Sequence, residues 1–347
     1  MSTIIRAAVI LCVLFFAYTF FMHYSGDVPE KREPGQKPEI SSVKEAEKPV
    51  KIPENGILAL MGKSSENILK SVGKPSRKEP SRFDYEWWIY NQDPDHYFQV
   101  GILNGKAVTV YGLGKSLNIQ PFKIGEDAGE VFKKSQILSS LPIEYKGNTY
   151  KFELSEEDMN TRPAIRADGN ILQLYIDKFD GKLSSVRAVD PETFIKQRPY
   201  ELIYRGNLVS AKKLKEDQLL NVEKAEENQV FDLTNVIRSR HNLPSLKNDS
   251  EVAGIAYLHS KDMADSRYFA HESPTEGDLS DRLKKGKVAY SLAGENIAAH
   301  YIDGIASVEG WMNSKGHREA MLNSEFTHLG VGVYRDYYTQ DYVKYWN

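Results

Sequence analysis

Residues Ala7 to Met22 form a nearly unbroken apolar run, AAVILCVLFFAYTFFM, and this segment divides the chain before any fold is considered. A helix that is apolar all round does not sit on the surface of a globular domain. A membrane span needs roughly 20 apolar residues, with a lower bound near 17, whereas a cleavable signal has a shorter core that ends in small residues. Bulky Phe20, Phe21, Met22, His23 and Tyr24 stand where small residues would be needed for cleavage. Residues 1–24 therefore read as an uncleaved signal-anchor, with a secreted protein as the outcome if the signal is removed. Arg6 puts the short amino-terminal end on the cytoplasmic side, so the bulk of the chain lies outside a cell membrane crossed once. The single cysteine, Cys12, falls inside this run, which excludes an intramolecular disulfide and a cysteine-based metal site. Leu11 stands before Cys12 where lipid attachment wants a small residue, so a lipoprotein reading is weak.

From residue 25 to 54 the composition turns to Pro, Glu and Lys, with Pro29, Pro34, Pro38, Pro49 and Pro53 spaced among mixed charges. Such a segment cannot bury enough apolar area to fold and reads as a disordered, semi-extended tether. The 347-residue length leaves room for about two domains beyond it. A net charge of −3 gives no field that would draw nucleic acid, which is set aside as a partner.

Residues 55–205 show two units of the same order, a short helix followed by strands. In the first, Ile68, Leu69 and Val72 precede the breaker Gly73-Lys74-Pro75, and the strands FDYEWWIY and YFQVGILNGKAVTVYGL follow around an Asn104-Gly105 turn. In the second, a helix over Ile124 to Lys134 precedes YKGNTYKFEL and ILQLYIDKFDGKLSSVRAV, with turns at Lys146-Gly147-Asn148 and Asp180-Gly181. An internal duplication follows. Tyr85, Trp87, Trp88 and Tyr90 could form a binding surface, but an aromatic run in a strand is more often core and cross-strand packing. His96 reads as a polar loop residue.

Residues 206–228 form a charged connector, and residues 229–347 a further domain. An amphipathic helix carries Val230, Phe231, Leu233, Val236 and Ile237 on one face. A second helix begins at the cap Asp249 and stops before YFAHESP, where Pro274 leaves His271 on a loop. SLAGENIAAH, a third helix over Ile302 to Ser314, and the strand-like THLGVGVYRD complete the order.

The ordered motifs FAHESP, GENIA, VEGWMNSKGHREAML and FTHLGVGV resemble the bacterial branch of the CAP superfamily, named for cysteine-rich secretory proteins, antigen 5 and pathogenesis-related proteins. The likeness covers roughly Phe231 to Tyr345. It implies an α+β chain whose carboxy-terminal domain is a three-layer α/β/α sandwich, preceded by the duplicated helix-plus-antiparallel-sheet domain and a membrane helix. Residues 55–205 resemble the domain that precedes CAP domains in Bacillus-type proteins and, more distantly, the repeats of the β-lactamase-inhibitor-protein type.

Carried over by motif, the resemblance implies a polar cleft built from His271, Glu295 and His317. The fourth family position, three residues after Trp311, is Ser314 here, and Glu309 does not occupy it. Asn296 would fix the loop carrying Glu295, and Trp311 belongs to the core. In some family members the histidines hold a divalent metal such as zinc, and His271 and His317 with Glu295 nearby are the candidates for that role. Two neutral imidazoles and a carboxylate suit zinc or, without metal, general acid-base work. His241, His259, His300 and His328 read as surface or satisfied core histidines. Three functions stay open: a cell-envelope binding module for a lipid, peptide, glycan or protein, a metal-dependent, peptidase-like hydrolase using the same cleft, and a purely structural or inhibitory role led by the repeat domain. No serine or cysteine nucleophile pattern supports the second.

Overall fold

The structure, a computed structural model, describes residues 49–346. The apolar run Ala7 to Met22, Cys12 and nearly all of the tether lie outside the described residues. No helix among the described residues is long and apolar enough to cross a membrane.

Strands β1 (Arg77–Pro80), β2 (Glu86–Tyr90), β3 (Phe98–Leu103) and β4 (Lys106–Gly112) follow one another, and β7 (Ala164–Ala167), β8 (Asn170–Asp177) and β9 (Lys182–Val189) form a second meander. They join through β4 and β9 into one antiparallel seven-stranded sheet, in the order β1-β2-β3-β4-β9-β8-β7. Helix α1 (Ser65–Val72) starts where the Ser64 hydroxyl accepts from the Asn67 amide, and it stops at Gly73, whose φ of 81° suits glycine. Helix α2 (Ala128–Lys134) is capped in the same way by Asp127.

The duplication is visible bond by bond. Gly62 N donates to Ala107 O and Ala107 N to Lys63 O; in the second unit Gly125 N donates to Leu183 O and Leu183 N to Glu126 O. Ser65 N reaches the turn carbonyl of Gly105, and Ala128 N reaches that of Gly181. Each helix start is thus stitched to the last hairpin of its own unit. The second unit carries an insertion: β5 (Ser140–Tyr145) and β6 (Asn148–Glu153) leave the main sheet and pair with β10 (Glu201–Arg205) over a small core around Tyr150, Phe152 and Phe194. Helices α3 (Glu156–Thr161) and α4 (Pro191–Gln197) flank it. The aromatic run is packing: Tyr85, Trp87, Trp88 and Tyr90 are all buried.

Helix α5 (Glu216–Arg240) opens the carboxy-terminal part, so most of the segment read as a charged connector is helix. Its polar side chains have tertiary partners: Glu226 pairs with Arg82 at 2.8 Å, and Gln229 donates to Glu79 at 3.0 Å. Next come β11 (Lys247–Asn248), α6 (Ser250–Ser266), α7 (Leu279–Lys285), β12 (Leu292–Ala299), α8 (Gly304–Met312), α9 (Lys315–Met321), β13 (His328–Tyr334) and β14 (Tyr337–Lys344). The sheet order is β11-β13-β14-β12.

Alternation along β13 and β14 sends side chains to two covered faces. Val331, Val333, Tyr338 and Tyr342 pack with Val230 and Leu233 of α5, whereas Val343 packs with Val252 and Ile255 of α6. Close approach of α6 requires glycine at 332, because a Cβ there would sit 1.9 Å from the Tyr257 amide nitrogen. The α5 face is shared between the two domains. Trp87, Tyr111 and Tyr175 of the repeat sheet belong to the same buried cluster as Leu233, Val308 and Trp311. Each large aliphatic side chain removed from water there contributes roughly 1.5–3 kcal/mol. Arg77 meets Asp232 at 2.7 Å, and Arg318 meets Asp177 at 2.5 Å across the same boundary.

Candidate functional site around Glu295

Helix α6 begins where the Asp249 carboxylate accepts from the Glu251 and Val252 amides, each at 3.1 Å. It ends at Arg267, which adopts the left-handed conformation with φ of 57°. The loop beyond it is tied back to the helix by Ser273 Oγ donating to Asp262 at 2.7 Å and Tyr268 Oη donating to the same carboxylate at 2.5 Å. Arg282 of α7 completes the tie, donating to the carbonyls of His271 at 2.8 Å and Gly277 at 3.0 Å. His271 is thereby held at the surface with its backbone immobilised from below.

Glu295 lies on strand β12 and not on a loop. One carboxylate oxygen lies 2.8 Å from His271 Nδ1, and the other receives the Arg282 guanidinium. Below it, His259 of α6 is buried with Nε2 at 3.8 Å from the same carboxylate. Asp341 is the direct cross-strand partner of Glu295 on β14, so both side chains occupy one face of the sheet.

The charges divide unequally. Burial pulls the Glu295 carboxyl up, but the His271 hydrogen bond and the Arg282 charge outweigh it, and its pKa lies below the usual value. Asp341 is pushed well above the carboxylate range by burial and then by the negative charge of Glu295. Glu295 is therefore the anion, and the proton of the pair stays on Asp341. Burial also lowers the pKa of His259, keeping that ring neutral.

His317 is carried by α9 and is half-buried. Its pKa is lowered by burial and then by the neighbouring His271. The main-chain carbonyl of His317 accepts from Asn296 Nδ2 at 3.1 Å, and the same amide group reaches Gln340 at 3.2 Å. Asn296 thus anchors the helix of His317 from the opposite face of the strand that carries Glu295. Trp311 is core, its Nε1 donating to Ile297 O at 2.9 Å.

His259, Arg282 and Asp341 escaped the sequence reading. Arg282 sits in the polar stretch EGDLSDRLKKGK, and Asp341 in a strand whose two faces are both covered and which shows no alternation. Nothing local links positions 259, 282, 295 and 341; the β12–β14 register does.

Because Glu295 is ionised, it accepts from His271 Nδ1, which therefore carries a hydrogen. A divalent cation here would take His271 Nε2 and His317 as its imidazole ligands, with Glu295 behind His271 as the group that orients the ring. Both Glu295 oxygens are already engaged, which argues against direct ligation. Among the described residues, the group of three whose ligand atoms lie within 4.8 Å of one another is a different one, Asp177, Asp180 and His241. There the Arg318 guanidinium contacts both carboxylates and offsets one of their two charges. The remaining histidines make local contacts: His96 with Asp93, His300 with Asp336 and His328 with Thr327. Glu309 is buried at the domain boundary and receives the hydroxyls of Tyr111, at 2.9 Å, and Ser185.

Residues 61–200 match the CAP-associated N-terminal family model, and residues 231–346 match that of the cysteine-rich secretory protein family. The chain is 49% identical over 347 residues, the full length of both proteins, to the uncharacterized membrane protein YlbC of Bacillus subtilis (strain 168). It is 44% identical over 108 residues to YkwD of the same organism, covering 31% of this chain and 42% of the relative. Among solved structures, an extracellular protein containing an SCP domain from Bacillus anthracis (strain Ames) superposes with a TM-score of 0.81 at 42% identity, covering 92% of this chain and all of that one. A cysteine-rich secretory protein from Staphylococcus aureus (strain Mu50) superposes with a TM-score of 0.77 at 28% identity, covering 86% of this chain and 95% of that one. With the two family domains in order and full-length similarity to a Bacillus relative, the chain belongs to the cysteine-rich secretory protein (CAP) family, in the bacterial group that carries a CAP-associated N-terminal domain.

Proposed function

We propose that the protein is a membrane-anchored, extracytoplasmic recognition module whose His271/His317 cleft holds a cell-envelope ligand without hydrolysing it. The observation that carries this reading is the state of Glu295. A general base works best with a pKa near the operating pH and a free lone pair aimed at its substrate. Glu295 has neither, since His271 and Arg282 engage its two oxygens and hold its pKa low. Its geometry suits a fixed anchor that orients His271, leaving the outward edges of two imidazoles to meet a ligand or a divalent cation. The apolar run Ala7 to Met22 supports the anchor. The membrane-protein name of the full-length relative and the extracellular description of the Bacillus anthracis structure support the location.

The test uses the full chain in nanodiscs, incubated with solubilised envelope fractions, with retained material identified by mass spectrometry. Retention that is lost in the His271→Ala, His317→Ala double variant supports the module. Cleavage of retained material or of a peptide library, abolished by Glu295→Gln, would replace it with a hydrolase.

A further inference from the structure

Helix α9, which carries His317, is gripped by the repeat domain. Its cap residue Ser314 makes no side-chain cap hydrogen bond among the described residues, so its first turn is not fixed from within the helix. Two side chains flanking that start reach across the domain boundary instead. Asn313 Nδ2 donates to Ile176 O at 2.8 Å, and Asn313 Oδ1 accepts from Lys178 N at 2.9 Å. One carboxamide thus satisfies the main chain on both sides of Asp177, as a neighbouring strand would. Arg318, adjacent to His317 and with a side chain 12% exposed, donates to Asp177 at 2.5 Å and to Asp180 at 3.1 Å. Its guanidinium also lies 5.2 Å from the Phe179 ring centroid.

The turn that makes these contacts is itself fixed. The other Asp177 oxygen accepts from Phe179 N at 3.0 Å and from Asp180 N at 3.3 Å, and Gly181 N donates to Asp177 O at 2.8 Å. Gly181 O in turn accepts the Ala128 amide that opens α2. On the far side of α9, Asn296 holds the His317 carbonyl from β12 at 3.1 Å. His317 therefore stands between two anchors, and one of them belongs to the other domain.

The duplication supplies an internal comparison. In the first unit the equivalent hairpin turns within two exposed residues, Asn104 and Gly105, enclosed by the pair Leu103 and Lys106. In the second unit the pair Asp177 and Lys182 encloses four residues, and aspartates stand at 177 and 180. Closing a hairpin needs neither the added length nor the acids, since two residues suffice. The enlarged, acidic copy is the one that meets Asn313 and Arg318.

We infer that the β8–β9 turn is a positioning element for the His271/His317 cleft: Asp177 and Asp180 act through Arg318, and the main chain at 176 and 178 acts through Asn313, to set where His317 stands. The repeat domain thereby regulates the cleft. This regulation rests on the recognition role proposed above, whereas the positioning of His317 does not.

Diethyl pyrocarbonate labelling and amide hydrogen exchange, both read by mass spectrometry on the full chain in nanodiscs, test the positioning. The Asp177→Asn, Asp180→Asn variant keeps side-chain oxygens for the turn and removes the charges that hold Arg318. It should raise His317 labelling and exchange of the α9 amides about tenfold, the scale of one lost charge-assisted hydrogen bond. The exposed His96 and His300 should label as in the wild type, which separates release of α9 from general loosening. Arg318→Gln should give the same increase, and the triple variant no more than either, because all three changes break one contact. Wild-type labelling and exchange in the aspartate variant, equal increases at His96 and His300, or fully additive effects would overturn the positioning role. Retention of solubilised envelope material tests the regulation. The aspartate variant should lose material that the wild type holds, and wild-type retention despite a released α9 would overturn it. A wild type that retains nothing sinks the recognition role, while labelling and exchange still decide the positioning.

Discussion

The Arg187 guanidinium, wholly shielded from solvent on strand β9, lies 2.7 Å from the carboxylate of Asp303, the residue that caps α8. One oxygen of Asp303 accepts from the Ala306 amide at 3.0 Å, and the other meets the cation from the neighbouring domain. Burial pulls the Arg187 pKa down, but Asp303 more than offsets it, so the side chain stays charged. The helix that follows the Glu295 strand is therefore started by one domain and charge-balanced by the other.

Asp303→Asn keeps a capping oxygen and removes the charge. It should lower stability in urea unfolding by about 3–5 kcal/mol, because a buried guanidinium loses its counter-ion. Adding Arg187→Met should recover most of that loss. A single-variant effect below about 1 kcal/mol would mean that water reaches the pair.

The two domains share one buried cluster, so the carboxy-terminal domain is not expected to fold alone. A fragment of residues 216–347 would leave Val230, Leu233 and Trp311 facing water where Trp87, Tyr111 and Tyr175 cover them. Circular dichroism of that fragment should show helix without a cooperative thermal transition, whereas residues 49–347 should melt in one transition.

Asp341 gives a pH dependence of known sign. Its folded pKa is raised above the ordinary 3.8, so between those two values the folded state binds more protons than the unfolded state, and stability falls as pH rises. Asp341→Asn mimics the protonated carboxyl. It should remove that slope, matching the wild type below pH 3.8 and exceeding it at neutral pH. Urea midpoints across the pH range measure this, and a variant less stable at neutral pH would place the charge on Asp341.

Zinc provides a probe of the cleft. His271 and His317 alone should hold it weakly, and His317→Ala should abolish measurable binding by calorimetry at unchanged melting temperature. Because the His317 pKa lies below the ordinary 6.5, protons compete for that ring only at pH below this value. Glu295→Gln should weaken zinc binding through His271, by about 10–100-fold if the carboxylate orients the ring. Equal binding in the wild type and the His271→Ala, His317→Ala variant would leave the trio as a metal-free network.

What the sequence by itself determined was whatever depends on a few neighbouring residues. Asp249 announces a helix start because a short polar side chain caps amides two or three positions on, and Gly73 announces an end because it tolerates positive φ; the helix expected from Ile124 instead starts at Ala128, behind the cap Asp127. The two helix-then-strand units were legible for the same reason, and the motifs around His271, Glu295 and His317 were legible by resemblance. Only the tertiary structure decided that the charges of residues 216–228 belong to a helix, since Glu226 gains its partner Arg82 from the β1–β2 turn far away in sequence. The same holds for β5 and β6, whose local pattern suits either sheet. Arg282, Asp341 and His259 join Glu295 through strand register and helix packing. No spacing encodes that meeting, because a buried carboxylate is stabilised by whatever charge the fold brings within a few ångströms, and distance along the chain does not enter that energy.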